Sequence, residues 1–72
     1  MNKQQFLEKL GKRIVSIREE RSMSQAELAR ACSKDAQSIE RVENAKTNPT
    51  AYYLYEVSKA LNVNVKDLLD VE

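Results

Sequence analysis

Residues Ser24 to Glu43, SQAELARACSKDAQSIERVE, decide how this chain folds. Ser24 with Glu27 three residues later forms a capping box: the serine oxygen accepts an N–H of the first helical turn, and the glutamate reaches back to the serine N–H. A helix therefore starts at Gln25. Its apolar positions, Ala26, Leu28, Ala29 and Cys32, are mostly small, so a neighbouring helix can approach its backbone closely. Ser33, Lys34 and Asp35 break the pattern, and Asp35 is a second N-cap. The next helix runs from Ala36 to about Asn44, with Ala36, Ile39 and Val42 as a narrow inward stripe. Gln37, Ser38, Glu40, Arg41 and Asn44 are left on its other faces. The stretch is two short helices joined by a tight corner.

Outside this pair the chain supplies a scaffold. From about Lys3 to Arg21, Phe6, Leu7, Leu10, Ile14 and Ile17 recur at spacings of three and four, which describes one amphipathic helix. Ala45 to Thr50, AKTNPT, is a loop, because Pro49 biases Asn48 away from helix and Thr50 can cap a further helix. That fourth helix, from about Ala51 to Leu61, offers Leu54, Tyr55, Val57, Ala60 and Leu61 to the core, and Asn62 is a tolerable left-handed stop. Asn64 can cap a last short helix whose apolar residues are Val65, Leu68 and Leu69. One glycine and one proline leave little room for hairpin turns, so the fold class is all-α, in a single domain spanning residues 1–72.

Composition narrows the functions. A chain of 72 residues with one cysteine and no histidine has no internal disulfide and no metal-ligand cluster, and must fold by helix packing or association. No glycine-rich phosphate loop or nucleophile–base pair is present, and the acids are spread along helix faces. Neither an enzyme nor a cofactor is expected. The polar start MNKQQ is not a secretory leader, and no apolar run reaches the ~18 residues of a membrane span, so a reducing cytoplasm is the expected location. The net charge is only +1, yet Lys9, Lys12, Arg13, Arg18 and Arg21 crowd the first helix while Glu56, Asp67, Asp70 and Glu72 weight the end towards the acidic. A molecule with one basic side is the expectation, against the alternative of ordinary solvated faces.

The chain resembles the Cro/repressor-type, or XRE-like, helix-turn-helix family from about Leu10 to Leu69. The matching blocks are LGKRI, SQAELA, SIERVENAKTNP and ALNVNVKDLL, in order, and QSIERVENAKT is especially similar to the same stretch of a phage repressor. The resemblance implies a compact five-helix, lambda-repressor-like domain in which the second helix crosses the DNA backbone and the third lies in the major groove. Three positions depart from the family pattern: Ser33 and Ala45 stand where glycines are usual, and Lys34 replaces an apolar residue. A side chain at positive φ costs on the order of 1 kcal/mol, so turn geometry is affected more than the fold.

Residue roles follow from chemistry and from the resemblance together. Gln37 can bond two edges of one base, and Arg41, four residues on, can fork onto a guanine or hold a phosphate. Ala36 can meet only a thymine methyl, and Ser38 can touch base or phosphate. For Gln37 a solvated helix residue is the competing interpretation, and for Arg41 a pair with Glu40's side of the helix or with nearby acids. The resemblance assigns Gln25 to the DNA backbone and to support of the first reading side chain. Lys34, Asn44, Lys46, Thr47 and Asn48 are further backbone candidates, and Arg18 with Glu43 matches a partly buried ion pair. Cys32 is a packing residue.

One small reading helix gathers few contacts, so a homodimer on a palindromic double-stranded DNA operator is expected. Tyr52, Tyr53, Tyr55, Val63, Val65, Leu69 and Val71 are the candidate dimerisation residues. These expectations add up to a DNA-binding transcriptional regulator, a repressor or autoregulator of the restriction-modification controller, phage or mobile-element type. The motif accounts for the whole length, so no small-molecule effector is expected. The alternative is an adaptor or antitoxin-like module that uses the same fold to bind a polypeptide.

Overall fold

Five helices succeed one another in the computed structural model, which describes residues 1–72: α1 Lys3–Glu20, α2 Gln25–Ala31, α3 Ala36–Glu43, α4 Ala51–Leu61 and α5 Val65–Leu68. Each begins where a short polar side chain can take an orphan N–H. Asn2, Ser24, Asp35 and Thr50 accept from Gln5, Glu27, Ser38 and Tyr53, and before α5 the Asp67 carboxylate accepts the Asn64 N–H at 3.0 Å. Such a cap contributes about 1 kcal/mol, which matters for helices of four to eight residues that have no stability alone.

The helix ends share one device. Ser22, Ser33, Ala45 and Asn62 all have φ between 55° and 59°, the left-handed region. At each, the next N–H folds back to the carbonyl five residues earlier: Met23 to Arg18, Lys34 to Ala29, Lys46 to Arg41 and Val63 to Ser58. This closure usually takes glycine, and none of the four residues is one. Ser33 and Ala45, where the resemblance implies glycines, therefore hold a left-handed backbone at the expense of strain. Ser22 is a fourth such position that the sequence pattern does not reveal.

The core lies between α1 and the other helices, built from Leu10, Ile14 and Ile17 with Leu28, Ala29, Cys32, Ile39, Val42, Leu54, Val57, Leu61 and Leu68. Several side chains depart from the periodicity. Ala26 and Ala36 are exposed, and the stripe of α3 is completed by Glu43 instead. Tyr55 faces solvent, while Ser58 is buried in its place because its hydroxyl donates to the Tyr55 carbonyl at 2.6 Å. Phe6 is only partly covered. Gly11 is buried where α1 crosses the end of α3, and a Cβ there would lie 2.9 Å from the Val42 carbonyl oxygen. The glycine thus permits two backbones to touch and has no part in a turn.

Candidate nucleic-acid interface

The corner between α2 and α3 turns on Ser33 and delivers Asp35 to cap α3, its carboxylate accepting the Ser38 N–H at 2.7 Å. With Ile39, Val42 and Glu43 inward, α3 turns Ala36, Gln37 and Arg41 to solvent. Gln37 and Arg41, a helical turn apart, lie outside the ion pairs that occupy their neighbours. A neutral amide and a guanidinium on one exposed face form a surface suited to base edges and phosphates.

Beneath that face, α3 is anchored to α1 by a charged cluster. The Arg18 Nε donates to Glu43 Oε2 at 2.8 Å, Nη2 to Oε1 at 3.0 Å, and Nη1 to the Met23 carbonyl at 2.9 Å. The side chains are 12% and 2% exposed, so the fork is largely removed from water. The hydrogen bonds to Glu43 push the guanidinium pKa further up, so it stays charged. Gln25 completes the cluster by donating from Nε2 to Glu43 Oε1 at 2.8 Å. That bond commits one of the two N–H groups of the amide to the ion pair and leaves the other as a donor.

Lys34 and Ser38 have destinations that the sequence pattern missed. Lys34 Nζ donates to Glu56 Oε1 on α4 at 2.7 Å and lies 4.5 Å from the centre of the Tyr53 ring. The Glu56 hydrogen bond raises its pKa. The ammonium nominated for a phosphate is thus bound within the protein. The Ser38 hydroxyl is 2.8 Å from the Tyr53 hydroxyl, an intramolecular tie in place of a free base-reading group. Tyr53, nominated for dimerisation, accordingly turns inward and is half-buried.

The loop after α3 is organised by Glu40. Lys46 donates to its carboxylate at 2.7 Å, and Asn44 Nδ2 donates to its backbone carbonyl at 3.0 Å and its carboxylate at 3.2 Å. The Lys46 hydrogen bond lowers the Glu40 pKa. These contacts are exposed, so Lys46 can exchange Glu40 for a phosphate at little cost. Thr47 and Asn48 are exposed beside it. Lys3 and Gln4 at the start of α1 border the same small groove as Lys46, Thr47 and Asn48, a neighbourhood that local spacing could not reveal.

The basic side expected on α1 is reduced in the folded molecule. Arg18 is consumed by Glu43, and Arg13 Nε donates to the Asp67 carbonyl of α5 at 2.8 Å. The groove between α1 and the exit of α3 carries Glu8, Glu19 and Glu20 against Lys12. Of the dimerisation candidates, Tyr52 and Tyr55 are exposed and stacked with ring centres 5.9 Å apart. Tyr55, Val63 and Val65 border one shallow groove, Leu69 is exposed and Val71 half-exposed. Cys32 is buried, its thiol donating to the Leu28 carbonyl at 3.1 Å, and burial raises its pKa.

Known structures repeat this architecture. The restriction-modification controller protein C.AhdI from Aeromonas hydrophila is 26% identical with a TM-score of 0.85, over 86% of this chain and 94% of that one. The clp gene regulator ClgR from C. glutamicum is 26% identical with a TM-score of 0.84, over 89% of this chain and 83% of that one. The hypothetical transcription factor NHTF from Neisseria is 28% identical with a TM-score of 0.87, over 96% of this chain and 79% of that one. No curated protein matches the sequence significantly. The helix-turn-helix family model HTH_3 matches residues 14–68, from the middle of α1 to the end of α5. The chain belongs to this HTH_3 helix-turn-helix family, and with it to the DNA-binding transcriptional regulators.

Proposed function

We propose that this protein is a sequence-specific repressor or autoregulator that binds a palindromic operator as a homodimer in the cytoplasm. The observation that carries the proposal is the division of α3: one face is consumed by the core and its anchors, and the other presents Ala36, Gln37 and Arg41 to solvent. In this interpretation Gln37 and Arg41 read bases, while Gln25, Lys46, Thr47 and Asn48 hold phosphates. Two copies would read half-sites about 34 Å apart. The stacked Tyr52 and Tyr55, with Val63, Val65, Leu69 and Val71, are the proposed seam between them. The likeness to a restriction-modification controller supports a regulator of that type.

The test is selection of bound duplexes from a randomised pool, with sedimentation of the free and bound protein. Enrichment of a two-fold symmetric motif by a dimer is the expected result, with affinity falling steeply as salt rises. A strict monomer on DNA would overturn the dimer. A polypeptide-binding adaptor is the second interpretation, favoured by the acidic rim of Glu8, Glu19 and Glu20 on a groove of about 830 Å³. Absence of enrichment by the folded protein at low salt would support it.

A further inference from the structure

We propose that Tyr53 is a positioning residue for DNA discrimination: its hydroxyl on Ser38 and its ring beneath Lys34 set the rotation of the first turn of α3. The inference rests on the interpretation of α3 as the base-reading helix. Ser38 is the third residue of α3 and adjoins Gln37. It is held twice, its N–H by the Asp35 carboxylate at 2.7 Å and its hydroxyl by Tyr53 at 2.8 Å. Tyr53 is equally constrained as the third residue of α4, its N–H donating to the Thr50 hydroxyl at 3.0 Å. The bond therefore joins two capped helix starts through one tyrosine ring, a short and stiff connection.

Lys34 closes the clasp from the corner side. It precedes the cap Asp35, lies over the Tyr53 ring at 4.5 Å and bonds Glu56, one turn further along α4, at 2.7 Å. The corner, the start of α3 and the start of α4 thus share one set of polar contacts. The far end of α3 is held separately, by Glu43 on Arg18 and Gln25. A helix of eight residues has no rigidity of its own, so its orientation depends on how its two ends are fastened. Bidentate base contacts tolerate displacements of only about 0.5 Å, so the near-end clasp governs where Gln37 and Arg41 fall.

The experiment compares binding of the full chain to a duplex that the wild type selects and to a scrambled duplex of the same length. Tyr53→Phe keeps the ring under Lys34 and removes only the bond to Ser38. Its affinity for the selected duplex is expected to fall by about three- to tenfold, the worth of one hydrogen bond, with affinity for the scrambled duplex unchanged. Ser38→Ala should give the same loss, and the double variant no more than either alone. Should Tyr53→Phe fail to fold, Ser38→Ala against wild type still reads the ratio. An unchanged ratio in a folded variant overturns the proposal, as does a double variant whose losses add, since Ser38 would then be touching bases directly. A wild type that prefers no sequence overturns the DNA-reading interpretation itself and the clasp's role with it, an outcome separate from variants that discriminate as well as wild type.

Discussion

Glu43 and Gly11 meet backbone to backbone at the crossing of α1 and α3, where a Cβ on the glycine would lie 2.8 Å from the Glu43 carbonyl carbon. The obstacle is main chain, which cannot rotate away as the end of a side chain can. Gly11→Ala gains in helix propensity yet must push the helices apart, at a net expected loss of about 2–3 kcal/mol. A melting temperature lowered by roughly 10 °C or more in thermal denaturation is the expected outcome. Wild-type melting would show that α1 and α3 do not cross here.

The same glutamate carries the ion pair, so Glu43→Ala strands the Arg18 guanidinium with only the Met23 carbonyl at its third nitrogen. A loss of about 3–5 kcal/mol is expected, much of the stability of a small domain. Urea denaturation should show DNA binding and stability falling together. Replacing both partners, Arg18→Met with Glu43→Leu, should recover most of the stability, because no charge is then left unpaired.

Strain at the helix ends gives a prediction of opposite sign. Ala45 at φ 59° and Ser33 at φ 58° hold conformations that glycine adopts freely. Ala45→Gly and Ser33→Gly should each stabilise the fold by up to about 1 kcal/mol, with the two effects nearly additive at separate corners. Denaturant midpoints that fall on substitution would mean that the left-handed turns are not strained.

Alkaline pH should loosen the seam between the corner and α4. Burial raises the pKa of the Cys32 thiol above its ordinary 9.0 and of the Tyr53 phenol above its ordinary 10.0, so the unfolded chain loses these protons first. The Glu56 hydrogen bond raises Lys34 above its ordinary 10.5, so that contribution is full below this value and lost as pH rises through the folded one. All three signs agree: stability should decline from pH 9.0 upwards. Chemical denaturation across that range is the check. Cys32→Ala should delay the onset, and an identical profile would exclude the thiol.

At the proposed DNA surface, Gln37→Ala should relax the preference at one position of each half-site, costing about 1–3 kcal/mol against the selected sequence only. Lys46→Ala should weaken all duplexes alike and reduce the slope of log affinity against log salt by about 1 per copy. Binding titrations on selected and scrambled duplexes at several salt concentrations separate the two. Equal effects on both duplexes from Gln37→Ala would remove it from base reading.

The sequence alone determined where helices begin and end and which family the chain belongs to. Ser24, Asp35 and Thr50 act on N–H groups three residues away, and the apolar spacing of Leu10, Ile14 and Ile17 is a property of one helix. Such signals lie within a turn or two of chain and can be read without knowing the rest. Tertiary structure alone decided how the polar residues are spent. Arg13 ends on a carbonyl 54 positions away, Lys34 on a carboxylate 22 away and Ser38 on a phenol 15 away. The need for a glycine at position 11 arises only because the α3 backbone lies against it. A cation, a hydroxyl or a missing Cβ can serve solvent, ligand or a distant partner equally well by its own chemistry, and only the packing of the helices selects among them.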